Sequence, residues 1–363
     1  MNTETIGNNP LWVPRSEYYD GLADYQEMSR FKLKSLLNLL VGQRKISSTW
    51  QEPLIEEEEF MKEEGNKKQF PVIVFSHGLS GCRHFYSVYA SALASYGYVV
   101  ASIEHRDLSA CFTYKLKYDE DMKHKIEEGM IMKMVISEEA DIQFRASQVH
   151  VRVKEYDALF DLLDQLNAGN IGSRSYRIVH GDEFDWGQFQ SRLDLKNVFL
   201  AAHSFGATSS LASLSLSKCF KGAVCLDAWM DPLSLEVLNT VNNPVLFINV
   251  NSWQWADNVK RMKCAVKNNK NSGIVSMDGA VHQSFSDFSF LCQGFVGKKA
   301  GFQGDVDPIH FGEAATEMMN SYFKSIINGQ DYQKNMKPIV ERYDFVNEGS
   351  PIELDDSPLV SKI

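Results

Sequence analysis

Two uninterrupted apolar runs, Pro71-Val72-Ile73-Val74-Phe75-Ser76 and Tyr98-Val99-Val100-Ala101-Ser102-Ile103, set the pattern of the chain. Such runs read as strands buried on both faces. Between them Ser87 to Tyr96 has helical character and stops at Gly97. Strand, helix, strand at this spacing predicts a βαβ unit and hence a parallel sheet. Val198 to Ala202, Gly222 to Leu226, Pro244 to Asn249 and a weaker run at Gly273 to Met277 predict more strands. Helices are predicted over Ser147 to Asn167, where Val151, Tyr156, Leu159, Leu162, Leu163 and Leu166 recur at near-helical spacing, over Phe205 to Ser215, and over Glu313 to Ile327.

The remaining segments are less regular. Residues 1–27 are polar and aromatic without a clear period, and the acidic patch Glu56 to Glu59 with Glu63 and Glu64 reads as a solvated loop or helix end. Residues 111–145 are charged and Met-rich; they are expected to be partly helical, as an insertion above the sheet. Residues 168–196 read as a long polar connection, and 329–363 as a partly ordered tail. With no internal repeat and no clean linker, the chain is expected to form one α/β domain over 1–363, with its core from about 11 to 328.

Arg30 to Val41 reads as an amphipathic helix: Phe31, Leu33, Leu36, Leu37, Leu40 and Val41 fall largely on one side, and Arg30, Lys32 and Lys34 are basic. Its apolar stripe either packs on the protein's own core or lies at a membrane interface.

Composition narrows the function classes. The 363 residues carry a net charge of −10, so no broad basic surface exists to neutralise phosphates and nucleic-acid binding is not expected. None of the six cysteines forms a Cys-x-x-Cys pair, which points to reduced thiols and away from a zinc or redox motif. No basic start followed by an apolar run marks a signal peptide, and residue 2 is Asn, which excludes N-myristoylation of the sequence as it stands. The expectation is a cytoplasmic protein with peripheral membrane contact. Ser361-Lys362-Ile363 stands one residue from the peroxisomal Ser-Lys-Leu address, a near-match that arises easily by chance.

The chemistry centres on Val198-Phe199-Leu200-Ala201-Ala202-His203-Ser204-Phe205-Gly206-Ala207. An apolar run ends at a serine among small residues and a helix follows, as in a nucleophile elbow, where a sharp strand-to-helix turn exposes the hydroxyl. The usual pattern is Gly-x-Ser-x-Gly; here Ala202 holds the first glycine position. A serine needs a base, the base an orienting acid, and the developing oxyanion backbone donors. Asp227 ends the strand Gly222 to Leu226, while the rival acid Asp231 lies in a Met-Asp-Pro turn. His282 follows the strand Gly273 to Met277; His310, the only other histidine after Asp227, has no strand in front and reads as a loop residue. Ser204, Asp227 and His282 thus stand in the nucleophile, acid, base order of an α/β-hydrolase. Phe205 N–H and Leu79 N–H, the latter in the loop Ser76-His77-Gly78-Leu79 after the first buried strand, are the expected oxyanion donors.

These residues, with Leu11-Trp12-Val13-Pro14, Glu17-Tyr18-Tyr19, Phe75-Ser76-His77-Gly78-Leu79, Glu104-His105-Arg106-Asp107, Leu226-Asp227-Ala228-Trp229-Met230 and Val281-His282-Gln283-Ser284-Phe285, resemble the platelet-activating-factor acetylhydrolases of the plasma and cytosolic serine-lipase type. The resemblance implies an α/β-hydrolase fold with a mostly parallel sheet between helices. It implies calcium-independent hydrolysis of the sn-2 ester of phospholipids with short or oxidised acyl chains, without metal or cofactor. By position it makes Ser204 the nucleophile, Asp227 the orienting acid and His282 the base, with Leu79 and Phe205 as oxyanion donors. It turns the Arg30–Val41 helix toward a lipid surface. Glu104-His105-Arg106-Asp107 is expected to build a buried polar network beside the site, and His77, Tyr86, Trp229 and Phe285 are the candidates to line the substrate pocket. Ala202 and Ala207 depart from family glycines, and only ten residues precede Leu11, so the family's opening strand hairpin is expected to be missing and a sheet edge exposed. Other carboxylesterases or lipases of this fold, and a non-catalytic lipid-binding relative, are the alternative functions.

Overall fold

The apolar runs of the sequence line up side by side in one sheet, whose pleat decides what covers each face. The structure, a computed structural model, describes residues 9–63, 69–118, 125–134, 138–170, 179, 181 and 183–363. Its strands are β1 (Phe70–Ser76), β2 (Val99–Ile103), β3 (Phe112–Tyr118), β4 (Lys125–Ile131), β5 (Leu193–His203), β6 (Gly222–Leu226), β7 (Val245–Val250), β8 (Gly273–Met277) and β9 (Val346–Glu348). Seven of them form the main sheet in the order β2-β1-β5-β6-β7-β8-β9. Every pairing is parallel except the last, β8 with β9.

The helices are α1 (Glu17–Tyr25), α2 (Arg30–Leu40), α3 (Glu57–Glu63), α4 (Ser87–Ser95), α5 (Glu138–Asn167), α6 (Phe205–Leu216), α7 (Leu235–Thr240), α8 (Ala256–Val266), α9 (Phe288–Leu291), α10 (Gly294–Lys299), α11 (Pro308–Asn328) and α12 (Tyr332–Arg342). Because strand side chains alternate, β1 sends Ile73 and Phe75 to one core and Val72 and Val74 to the other. Helices α1, α2, α4, α11 and α12 cover the first face. The second is covered by α5, α6, α7 and α8. This is a mostly parallel sheet between helices, the α/β-hydrolase arrangement.

Four segments depart from the sequence reading. Of the stretch 111–145, only 138–145 are helical, as the start of α5, while 112–118 and 125–131 pair as the antiparallel strands β3 and β4; Phe112, Tyr114 and Leu116 alternate with Thr113, Lys115 and Lys117, a period of two hidden by the charge. The rest of that insertion falls partly on residues 119–124 and 135–137, outside the described residues. Helix α5 begins at Glu138 instead of Ser147, and it buries Val149, Val153, Tyr156 and Leu163 while Val151 is exposed. Residues 17–25, which show no clear period, form α1 and bury Tyr18, Tyr19 and Ala23.

The segment read as a tail continues the domain. Tyr332, Met336 and Ile339 bury one stripe of α12, and β9 caps the sheet. A polar composition masked that narrow stripe, so the core runs to residue 348 and not 328. His310 lies in the first turn of α11, not in a loop. At the other edge, β2 pairs with β1 alone among the described residues. Of the acidic patch, Glu57, Glu58, Glu59 and Glu63 lie in α3 and Glu56 precedes it; Glu64 and much of the long polar connection, residues 171–178, 180 and 182, fall outside the described residues.

Candidate active site

Strand β5 ends at His203 and α6 starts at Phe205, so the whole reversal of direction falls on Ser204. Its φ of 56° and ψ of −120° are a backbone state that L-residues avoid, at a cost of about 1–3 kcal/mol. The turn is held by Ser204 N–H donating to the Leu226 carbonyl (2.9 Å) and by Ala207 N–H donating back to the Ser204 carbonyl (3.0 Å). It also needs Gly206: a Cβ there would stand 2.5 Å from the Ser76 carbonyl oxygen and 2.8 Å from that of His77. Ala202 and Ala207 are buried in the core, and their methyl groups are accommodated there.

Asp227 follows β6 with a positive φ of 47°, which turns its side chain toward the next two strands. The buried carboxylate accepts from Val250 N–H at Oδ1 (2.7 Å) and pairs with His282 Nδ1 at Oδ2 (3.0 Å). Burial pushes the Asp227 carboxyl well up, and the Val250 N–H opposes it. His282 opens a short turn after β8, and burial holds it down to about 3, so the resting imidazole is neutral near neutral pH. No hydrogen bond joins the Ser204 hydroxyl to His282, although both side chains face the same cavity; such contacts are often long without substrate and tighten when it binds.

The loop after β1 passes directly over the serine. A Cβ on Gly78 would stand 3.1 Å from Ser204 Cβ. Among the described residues no backbone acceptor faces the N–H of Leu79 or of Phe205, which leaves both free for a ligand. Tyr86 fixes the loop: its hydroxyl accepts from Gly78 N–H (3.1 Å), leaving its proton for His203 Nδ1 (3.0 Å).

Behind the loop lies a buried polar network. Arg152, on α5, donates to Asp107 (2.9 Å), to the His77 carbonyl (2.9 Å) and to Ser109 Oγ (2.5 Å). His105 pairs with Ser76 Oγ and Glu155, each at 2.8 Å. Burial lifts Glu104 and Glu155 to about 7 and lowers His77 and His105. Of the Glu104-His105-Arg106-Asp107 stretch, only Arg106 is exposed.

A cavity of about 360 Å³ opens above Ser204 and His282. Leu79 and Tyr86 line its floor, Leu33, Leu36, Leu37 and Leu40 of α2 one wall, and Phe288, Val296 and Phe302 another. His77, Trp229 and Phe285 are not part of the lining. His77 is held inside by Gly78 and His105, Phe285 packs on Phe311 in the core, and Trp229 lies against Phe205 with its indole N–H toward Asp231. Outside the cavity Phe31, Leu39 and Phe295 are 79%, 82% and 80% exposed, so α2 and α10 present apolar side chains to solvent beside its mouth. The basic residues of α2 are partly neutralised, Arg30 by Asp24 and Lys34 by Asp20. No described helix is long and apolar enough to cross a membrane.

Three contacts escaped the sequence reading: Arg152, His203 and Trp253. Trp253 stacks on the His282 ring at 3.7 Å and 17°, and the His203 ring lies on it at 4.3 Å and 37°. His203, Asp227 and His282 have ligand atoms within 4.8 Å of one another. His203 Nδ1 is engaged by the Tyr86 hydroxyl and Asp227 Oδ2 by His282 Nδ1, so these groups are already hydrogen-bonded.

The family model described as "Platelet-activating factor acetylhydrolase, isoform II" matches residues 1–342. The chain is similar to proteins named platelet-activating factor acetylhydrolase, at 33% identity in Gallus gallus and 32% in Canis lupus familiaris. The matches cover 82% and 83% of this chain but 69% and 64% of those proteins, so the chain spans about two thirds of their length. Among solved structures, a ferulic acid esterase from Streptomyces cinnamoneus superposes with a TM-score of 0.50 at 16% identity, over 77% of this chain and 74% of that one, a likeness of fold.

Proposed function

The chain belongs to the platelet-activating factor acetylhydrolase family, and from that premise we propose that it hydrolyses the sn-2 acetyl, or short or oxidised acyl, ester of platelet-activating factor and related phospholipids. The observation that carries the reading is Asp227 hydrogen-bonded to a neutral His282 that shares an apolar cavity with Ser204. His282 takes the Ser204 proton as the oxygen attacks the sn-2 carbonyl. The oxyanion is received by the free N–H groups of Leu79 and Phe205. His282 then protonates the leaving glycerol oxygen and lysophospholipid departs. Water, deprotonated by the same histidine, attacks the acyl-serine and releases the carboxylic acid. No step calls for a metal.

The leucine wall of α2 supports an acyl or alkyl chain in the cavity, and exposed Phe31, Leu39 and Phe295 support peripheral contact with a lipid surface. All six cysteines are free thiols, which supports a reducing, cytoplasmic setting. The test is hydrolysis of an sn-2 acetyl phospholipid, with and without a calcium chelator, beside Ser204→Ala and a long-chain phosphatidylcholine. Chelator-insensitive release of acetate that the variant loses by about 10³-fold or more is expected. Full activity in Ser204→Ala, or activity abolished by chelator, overturns the reading.

A further inference from the structure

The His282 ring contacts two other rings, and neither is a member of the proposed triad. Trp253 covers one face at 3.7 Å and 17°, close enough for full contact of the two π-surfaces. His203 also touches it, tilted by 37° at 4.3 Å. The two contacts differ in kind. His203 is buried and anchored through Nδ1 to Tyr86, and burial together with the neighbouring His282 keeps it neutral. An indole face carries negative quadrupole charge and attracts a cation lying on it. In the proposed reaction His282 becomes a cation only in the transition states, so the indole contributes little to the resting enzyme and more as the proton arrives.

We propose that Trp253 is a positioning residue of the base: it fixes the imidazole plane against Asp227 and stabilises the imidazolium by a cation–π contact. The inference rests on His282 being the general base. Trp253 is well sited for both tasks. It lies three residues after Val250, whose N–H binds Asp227 Oδ1, so one short turn after β7 holds both the acid and the face of the base. Its indole N–H is buried without a hydrogen-bond partner, so no polar contact accounts for its orientation; it is set by the stack with His282, the edge contact with Trp255 and packing against the core.

The experiment is the pH profile of kcat and kcat/KM for a monomeric short-chain ester in the wild type, Trp253→Leu, Trp253→Phe and His282→Gln. Leucine keeps an apolar cover but removes the π-face, so the imidazolium is less stable and the acidic limb moves to lower pH. The expected shift is about half to one pH unit, with kcat reduced about 10-fold, KM within about twofold, and most of the loss restored by phenylalanine. An acidic limb that stays or moves up, or a phenylalanine variant no better than leucine, overturns the role of Trp253. Should Trp253→Leu fail to fold, the difference in emission between the wild type and Trp253→Phe reports the indole alone, since the other five tryptophans are common to both. That emission is expected to fall as pH drops through the acidic limb, and indifference to pH there also overturns the proposal. Persisting activity in His282→Gln instead removes the triad reading, whatever the Trp253 variants do.

Discussion

Replacing Arg152 by methionine tests how the loop over the serine is held. Methionine keeps much of the aliphatic stem, so little cavity opens, but all three donations from the guanidinium are lost, along with its contact over the Phe205 ring at 4.4 Å. The Asp107 carboxylate is then left buried with only the N–H and hydroxyl of Ser109. Removing one partner of a buried ion pair costs about 3–5 kcal/mol. Titration gives a second figure. Burial pushes Asp107 up, Arg152 together with His105 and Ser109 outweighs it, and the carboxyl comes to rest at about 2 instead of 3.8. That net depression, to which Arg152, His105 and Ser109 all contribute, corresponds to about 2.5 kcal/mol. A lowered folded-state pKa means that this stability is present above pH 3.8 and is lost as pH falls toward 2. In the variant, burial acts on Asp107 without its cation, so acid relieves the stranded charge. Urea unfolding is therefore expected to show a deficit of about 3 kcal/mol or more at pH 7 that narrows at about pH 4. Esterase activity is expected to fall as well, because the His77 carbonyl in the loop that carries the Leu79 N–H loses its anchor. A deficit below about 1 kcal/mol at pH 7, or one that does not change with pH, refutes the reasoning.

Two further outcomes follow from the geometry. Gly206→Ala brings a methyl group against two backbone carbonyls that cannot rotate away; thermal unfolding is expected to reveal a loss of about 1–3 kcal/mol together with reduced ester hydrolysis, and an unchanged midpoint with full activity contradicts the close approach. Replacing Phe31, Leu39 and Phe295 together by serine removes the exposed apolar side chains beside the cavity mouth; sedimentation with phosphatidylcholine vesicles is expected to fall by at least about 10-fold, the loss confined to vesicle-borne substrate, and undiminished sedimentation contradicts docking through this rim.

The legible parts of this protein are those where one-dimensional order maps onto three-dimensional position. Ser204, Asp227 and His282 follow three strands of one parallel sheet, and a parallel sheet brings all its strand ends to one edge, so chain order alone puts them in proximity. Gly78 and Leu79 follow a fourth strand and were legible for the same reason. Arg152 was not: it interrupts an apolar stripe, and only Asp107, Ser109 and the His77 carbonyl, all distant in sequence, explain a buried cation there. Trp253 was hidden because an aromatic residue in a loop carries no period, and its meaning depends on a ring from another loop. His77, Phe285 and Trp229 show the reverse error. Nearness in sequence to a catalytic strand end suggested a pocket, yet alternation along the chain turns those side chains into the interior or onto α6.

The antiparallel pairing of β8 with β9 also bears on when the protein can become active. β8 leads into the His282 turn, and its outer side is closed by residues 346–348, with Asp278 N–H bonded to the Phe345 carbonyl. On a ribosome the N-terminal part of a chain emerges first. Ser204, Asp227 and the loop over them can therefore assemble while the strand preceding the proposed base, His282, still has a bare edge. That edge is an opening for wrong partners as well as for β9. The final strand of the sheet to be synthesised is thus the one that closes the outer side of the strand leading to His282.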